Sequence, residues 1–356
     1  MCSGFGTVAI WGVGLIGGSI GMAIRQRGLA DEVIGIARAA GGGAAAHLAG
    51  AGAARATGES AVRTLGVGSG GAGAALVVGA CADPAGALPP GEAAPSNPEA
   101  VRLGAVDRMV TDPAAALARA DLVILAMPVQ AMIDLAPQAA PLLRPGTIVT
   151  DVASVKGAVV AAWEAHLPDG VTFVGGHPMF GRERSGVAAA SADLIPGCRW
   201  VLTPGDRAGG GETGSGVGSG AATAFERVRD LVMALDAEPV VMTPEEHDRR
   251  VAGVSHLPQL VATALAAAAL RLDAAQPGTL ALAAGGFRDA TRIADSPAAL
   301  WHEIWANNRP AVQEAAAAFR GALEDLEAAI AAGDGEALAA LFDQAHAARR
   351  RAIRGA

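Results

Sequence analysis

The chain has 356 residues, a net charge of −8, no tyrosine and a single lysine, Lys156. It is long enough to bury two cores. An acidic balance with no basic stripe argues against a nucleic-acid partner, and three scattered cysteines (Cys2, Cys81, Cys198) show neither zinc spacing nor a disulfide framework. No charged leader precedes the first apolar run, and the most apolar stretch, residues 260–270, is too short to span a bilayer. The expectation is a cytoplasmic protein with no metal centre and no membrane partner.

Residues 8–11 read as a short buried strand that runs straight into Gly12-Val13-Gly14-Leu15-Ile16-Gly17. A G-x-G-x-x-G turn between a strand and a helix is the setting in which the pattern binds a dinucleotide. Gly12 serves the tight turn, Gly14 lets a pyrophosphate approach, and Gly17 lets helix and strand pack closely. The free N–H groups of the new helix then face the phosphates. The helix runs over residues 15–27 and stops at Gly28. Residues 33–36 form the second strand. In the NAD version of the pattern an acidic residue closes this strand, whereas an arginine suits a 2′-phosphate. Here Ala37-Arg38 follows, so the reading favours NADP over NAD. Arg38 also reads as an ordinary surface arginine, with NAD held by a carboxylate from elsewhere.

Residues 39–96 are a low-complexity insertion of Ala, Gly, Ser and Pro with no assigned chemistry. Order resumes with a helix at 98–103 and another at 114–120. Buried strands follow at 121–127, ending at Met127-Pro128, then at 147–152 and 171–174, with 199–202 as the last. Apolar strands alternating with helices indicate a parallel, doubly wound α/β sheet. Such sheets bind ligands beyond the carboxyl ends of their strands. Met127-Pro128, Ser154-Val155-Lys156 and His177-Pro178 all fall there, and so can meet in one crevice. After a glycine-rich stretch at 205–220 the pattern turns helical: 224–235, 244–272 with a kink at Pro258, 300–331 and 336–350. The expected division is a dinucleotide-binding domain over 1–204, a linker over 205–222 and a helical domain over 223–356.

Polar groups interrupt apolar surroundings in three places. His177, in GHPMFG, is held at a strand end and can take a proton near neutral pH. His256 and Gln259, in SHLPQ, share a helix face, although His256 reads equally well as a hydrogen-bonded core histidine. Arg288, Arg292 and Arg309 have the planar fork that grips carboxylates, or form surface ion pairs.

Taken in order, GVGLIGGS (12–19), DVASVKG (151–157), GHPMFG (176–181), SHLP (255–258) and GGFRDATRI (285–293) closely resemble the prephenate/arogenate dehydrogenase family of tyrosine biosynthesis. The resemblance implies an N-terminal Rossmann sheet followed by an all-helical dimerisation domain. It also implies a homodimer and NAD(P)-dependent oxidative decarboxylation of a small cyclohexadienyl substrate, prephenate or arogenate. By the same resemblance His177 matches the catalytic histidine, Ser154 the serine that orients it, and Lys156 a lysine of the same crevice. Arg292 matches the arginine that grips a substrate carboxylate, and Trp301 and Gly285 match positions lining the pocket. Many members read S-H-L-P-H, where this chain has Gln259. In those members the second histidine lies near the substrate side chain, the part in which prephenate and arogenate differ. Other readings of the same elements are a Rossmann-plus-helical dehydrogenase of hydroxy acids or imines, and a catalytically silent nucleotide sensor.

Overall fold

The computed structural model describes residues 4–37, 97–181, 184–205 and 219–354. Arg38, the 39–96 insertion and most of the glycine-rich stretch lie outside the described residues. One eight-stranded sheet organises the first half. Its strands are β1 (Phe5–Trp11), β2 (Ala30–Ile36), β3 (Arg108–Val110), β4 (Leu122–Leu125), β5 (Ile148–Asp151), β6 (Thr172–Pro178), β7 (Arg199–Pro204) and β8 (Glu238–Val241). They lie in the order β3-β2-β1-β4-β5-β6-β7-β8. The central strands are apolar throughout because helices cover both sides. Helices α1 (Leu15–Gln26), α2 (Pro98–Arg102) and α6 (Ser219–Ala234) pack on one face, burying Ile20, Ile24, Ala100, Val228 and Leu231. Helices α3 (Pro113–Leu117), α4 (Val129–Ala139) and α5 (Gly157–Glu164) pack on the other, around Leu117, Met132, Leu135, Val160 and Trp163.

Three expectations are corrected. The sheet is mixed, because β7 runs antiparallel to β6. Strands β3 and β8 are present as well, with β8 parallel to β7. Both are short, half-exposed edge strands, and β8 contains Pro239, so neither carries the apolar run that marks a central strand. The sheet therefore does not end at 199–202, nor does the helical part begin at 223. Helix α6 buries Leu231 and Val232 against the sheet, and β8 extends it.

The helical part comprises α7 (Pro244–Val251), a π-turn (Ala252–His256), α8 (Leu257–Ala275), α9 (Gly285–Thr291), α10 (Ala298–Asn307), α11 (Arg309–Ala332) and α12 (Gly335–Arg354). Pro258 has no N–H to return to Val254, and the expected kink takes the form of that π-turn. The resulting run from Pro244 to Ala275 is 32 residues and, by length and composition alone, apolar enough to cross a membrane. That corrects the expectation drawn from residues 260–270. Core helices of soluble proteins meet the same criterion, and this one carries buried His247, Asp248, His256 and Gln259. The single helix expected over 300–331 breaks at Asn308, whose φ is −130°.

Candidate active site

Two neighbouring sites form where the carboxyl ends of the strands meet the helical part. The first is a cleft of about 370 Å³ at the ends of β1, β2 and β4, lined by Gly12, Val13, Gly14, Asn97, Met127 and Pro128 among others. It lies where the strand order reverses, between β1 and β4. Gly12 has φ +101°, and a Cβ there would come 2.3 Å from the Ala126 carbonyl oxygen. A Cβ on Gly17 would come 2.3 Å from the Gly12 oxygen. The turn thus admits only glycine at both positions. A Cβ on Gly14, by contrast, would meet nothing within 4 Å, so the space over it is open to a ligand. No side chain caps α1, which leaves its first N–H groups and the positive end of its dipole facing the cleft. These features fit a dinucleotide pyrophosphate. Leu15, Ile16 and Gly17 are not part of the lining but build the helix start that shapes it. Strand β2 ends at Ile36-Ala37 with no carboxylate.

The second site is centred on His177, which lies within β6 and pairs with Val201 of β7. Its Nδ1 is 2.8 Å from Nε2 of His247 on α7, and His247 Nδ1 is 2.8 Å from Asp248 Oδ1. Asp248 in turn accepts the backbone N–H groups of Lys156 (2.8 Å, Oδ1) and Gly157 (2.9 Å, Oδ2) at the start of α5. A carboxylate from the helical half thereby caps a helix of the sheet half. Burial holds His177 well below the usual imidazole range, helped by His247, Lys156 and His256 nearby. It is therefore neutral, and able to accept a proton, at neutral pH. Ser154 lies half-buried in the loop between β5 and α5.

Lys156 is placed differently from the expectation. Its ammonium is fully buried, bound to Asp151 and donating to the Gly176 carbonyl at 2.6 Å. Asp151 also accepts from Gly176 N (2.9 Å) and Ala153 N (2.9 Å). The pair clamps β5 to β6 beneath His177 and does not open to the crevice. Burial lowers the lysine's proton affinity, and Asp151 opposes that shift.

Asn308, at the break before α11, donates to the Asp248 carbonyl at 2.8 Å and lies 3.2 Å from His256 Nδ1. An amide nitrogen can only donate, so His256 Nδ1 is the acceptor and the proton of the neutral ring sits on Nε2. Burial pushes the His256 pKa down to about 4, which keeps the ring neutral. Of the eight buried polar side-chain atoms without a partner among the described residues, four lie on this side: His256 Nε2, Gln259 Oε1, Trp301 Nε1 and Trp305 Nε1. His256 and Trp301 meet edge to face at 6.1 Å, and Trp301 and Trp305 are 5.7 Å apart. Buried polar atoms left unpaired are costly. Gly285 opens α9 and is exposed, and Arg292 is exposed on the turn after it. That segment packs along α8. No contact described in the structure joins either residue to His177. His247, Asp248 and Asn308 are residues to which sequence reasoning gave no role.

The family model described as prephenate dehydrogenase, nucleotide-binding domain, matches residues 92–212, and its dimerization-domain companion matches 243–344. The glycine turn precedes both matched ranges, so its reading rests on the geometry above. Prephenate dehydrogenase of Bacillus subtilis is 36% identical over 211 residues, 59% of this chain, which spans 54% of that relative's length. Cyclohexadienyl dehydrogenase of Zymomonas mobilis is 32% identical over 251 residues, 70% of this chain and 80% of that protein. The crystal structure of A. aeolicus prephenate dehydrogenase in complex with hydroxyphenyl propionate and NAD+ superposes with a TM-score of 0.72 at 25% identity, covering 97% of this chain and 98% of that one. By sequence and by fold, the chain belongs to the prephenate dehydrogenase family.

Proposed function

We propose that this protein is a cytoplasmic NAD(P)-dependent dehydrogenase that oxidatively decarboxylates a cyclohexadienyl substrate in tyrosine biosynthesis, and that it takes the amino-acid form, arogenate, to give tyrosine. What supports the reading is His177, joined by hydrogen bonds to His247 and Asp248, in a chain that also has a cleft shaped for a dinucleotide and a cluster of unpaired polar atoms around His256. The relative solved with NAD+ and a hydroxyphenyl acid supports the same pairing of ligands.

A nicotinamide cofactor held over Gly12–Gly14 supplies the hydride acceptor. His177 accepts the proton of the ring hydroxyl as hydride leaves the same carbon. Carbon dioxide then departs, and its bonding electrons complete the aromatic ring. Ser154 orients the hydroxyl. Arg292 grips a carboxylate, with Trp301 and Gly285 walling the pocket. Lys156 acts here from below, by holding the strand that carries His177.

The preference for arogenate rests on Gln259. Thr263 Oγ1 donates to the Gln259 backbone carbonyl at 2.9 Å, so its oxygen can only accept from the side-chain amide, at 3.3 Å. That assigns the amide nitrogen to Thr263 and leaves Oε1 as an unpaired buried acceptor. An ammonium satisfies it, whereas a keto oxygen does not. NADP is the favoured cofactor, because β2 ends without a carboxylate and Arg38 follows. A second copy of the chain covers the exposed apolar face of the helical part, making a homodimer, and the domain division falls between β8 and α7.

The test is a steady-state assay with prephenate and arogenate, each with NAD and NADP, following reduced cofactor and carbon dioxide. Arogenate with NADP is expected to give the highest kcat/KM. Gln259→Leu is expected to lose roughly 10- to 100-fold with arogenate and much less with prephenate, in line with about 1–3 kcal/mol for an unmade buried hydrogen bond. Equal loss with both substrates removes Gln259 from the selection, and turnover without carbon dioxide release removes the reaction.

A further inference from the structure

The chain His177–His247–Asp248 crosses from the sheet half to the helical half, and, with His247 neutral, its hydrogen bonds assign its protons. Both Asp248 oxygens accept backbone N–H groups, at 2.8 and 2.9 Å, an arrangement that fits the ionised carboxylate. An ionised carboxylate has no proton to give. His247 Nδ1, 2.8 Å from Oδ1, is therefore the donor. A neutral imidazole that donates through one nitrogen accepts through the other, so His247 Nε2 accepts. His177 Nδ1, 2.8 Å away, must then carry a proton and donate it. The only bare ring nitrogen left on His177 is Nε2.

We propose that His247 is a positioning residue that, through Asp248, locks His177 in the Nδ1–H tautomer with Nε2 free to accept the substrate's proton. The two rings meet edge-on at 71° with centroids 5.0 Å apart, so His247 also fixes the plane of the base. His247 is wholly buried and reaches the substrate only through His177. Once His177 gains a proton at Nε2, its Nδ1–H still points along the chain toward the Asp248 charge, which stabilises the imidazolium. The relay has the logic of a carboxylate-oriented catalytic histidine, lengthened by one imidazole. It also makes the base depend on domain contact, because His247 and Asp248 belong to the helical half. The other titratable groups around the pair are Lys156, held by Asp151, and His256, held by Asn308.

The catalytic consequence rests on the dehydrogenase reading, but the tautomer does not, so the two are tested separately. In 15N-histidine-labelled protein without substrate, the His177 resonances, assigned by their loss in His177→Asn, should show Nδ1 protonated and Nε2 bare. His247→Leu should mix the tautomers, lower kcat on the order of 10²-fold, within the range for a general base, and shift the acid limb of the kcat–pH profile. KM for the cofactor should stay within about twofold, since removing a base's support weakens the transition state and not ground-state binding. His247→Gln, whose amide oxygen can still accept from His177 Nδ1, should restore about tenfold of the loss, a part of the general-base contribution. A wild-type His177 protonated on Nε2 overturns the proposal. So does a folded His247→Leu, checked by circular dichroism, with unchanged kcat and pH profile. If His247→Leu does not fold, the wild-type spectrum and His247→Gln still decide. The stated tautomer in a protein inactive with all four substrate–cofactor pairs supports the relay and refutes the dehydrogenase reading.

Discussion

The sheet half and the helical half bury their apolar residues in different ways. In the sheet half, β1, β4 and β5 are sealed between two helical layers, and residues such as Ile10, Leu122, Ile124 and Trp163 are at or near zero exposure. The helical half leaves Leu282 84%, Val254 74%, Ile330 65% and Leu270 62% exposed. These exposed apolar side chains lie in the half matched by the family's dimerization-domain model. What the helical half buries includes a polar cluster, His247, Asp248, His256, Gln259 and Asn308, beside a few apolar residues such as Val251, Ala262 and Ile304. One half is a self-sufficient core. The other holds a buried polar cluster and leaves large apolar side chains exposed.

The largest expected effect comes from breaking the clamp within the self-sufficient half. Lys156→Met leaves Asp151 charged and unpaired in a buried setting, which should lower stability by ~3–5 kcal/mol in urea titrations. A loss under about 1 kcal/mol would mean that water or relaxation compensates Asp151. Next in size is a pH effect in the helical half. His256 has a folded pKa of about 4 against 6.5 for the free residue, so below pH 6.5 the unfolded state takes up a proton that the folded state refuses. Stability is therefore lost as pH falls from 6.5 toward 4, by roughly 2 kcal/mol between pH 7 and 5 from this residue at 1.36 kcal/mol per unit. His256→Gln should flatten the slope by that amount, and an unchanged slope would place the titration elsewhere. The smallest stability effect is expected on the exposed face. Leu270→Glu should change unfolding of the monomer by less than ~0.5 kcal/mol, yet shift sedimentation velocity from dimer to monomer. A dimer that survives both Leu270→Glu and Leu282→Glu would place the interface elsewhere.

The same contrast governs how readable the chain was. The central strands were plain as apolar runs, because a parallel sheet buried on both faces demands them. The glycine turn was plain too, because Gly12 and Gly17 stand where a Cβ would strike backbone. The edges were not legible: β3 and β8 are short and half-exposed, and β8 contains a proline, so they lack the periodic signal that burial imposes. The helix break at Asn308 and the π-turn before His256 left weak marks for the same reason. Both lie where distant parts of the helical half meet, with Asn308 against Asp248 and His256.

Composition made one residue stand out. In a chain that otherwise uses arginine, the single lysine sits fully buried against one carboxylate and one carbonyl, a space suited to a compact ammonium and not to a planar guanidinium. By itself the sequence determined the Rossmann sheet, the helical second half, the dinucleotide turn and the ordered motifs that place His177 at a strand end, since all of these are local patterns of apolar spacing and glycine. Only the tertiary structure decided that Lys156 is buried against Asp151, that His247 bridges His177 and Asp248, that Asn308 meets His256 Nδ1, and that Gln259 Oε1 is buried without a partner among the described residues. Those assignments depend on which atoms face each other across as many as 92 residues of chain, or on which partner has already used a hydroxyl proton, and a linear pattern holds neither.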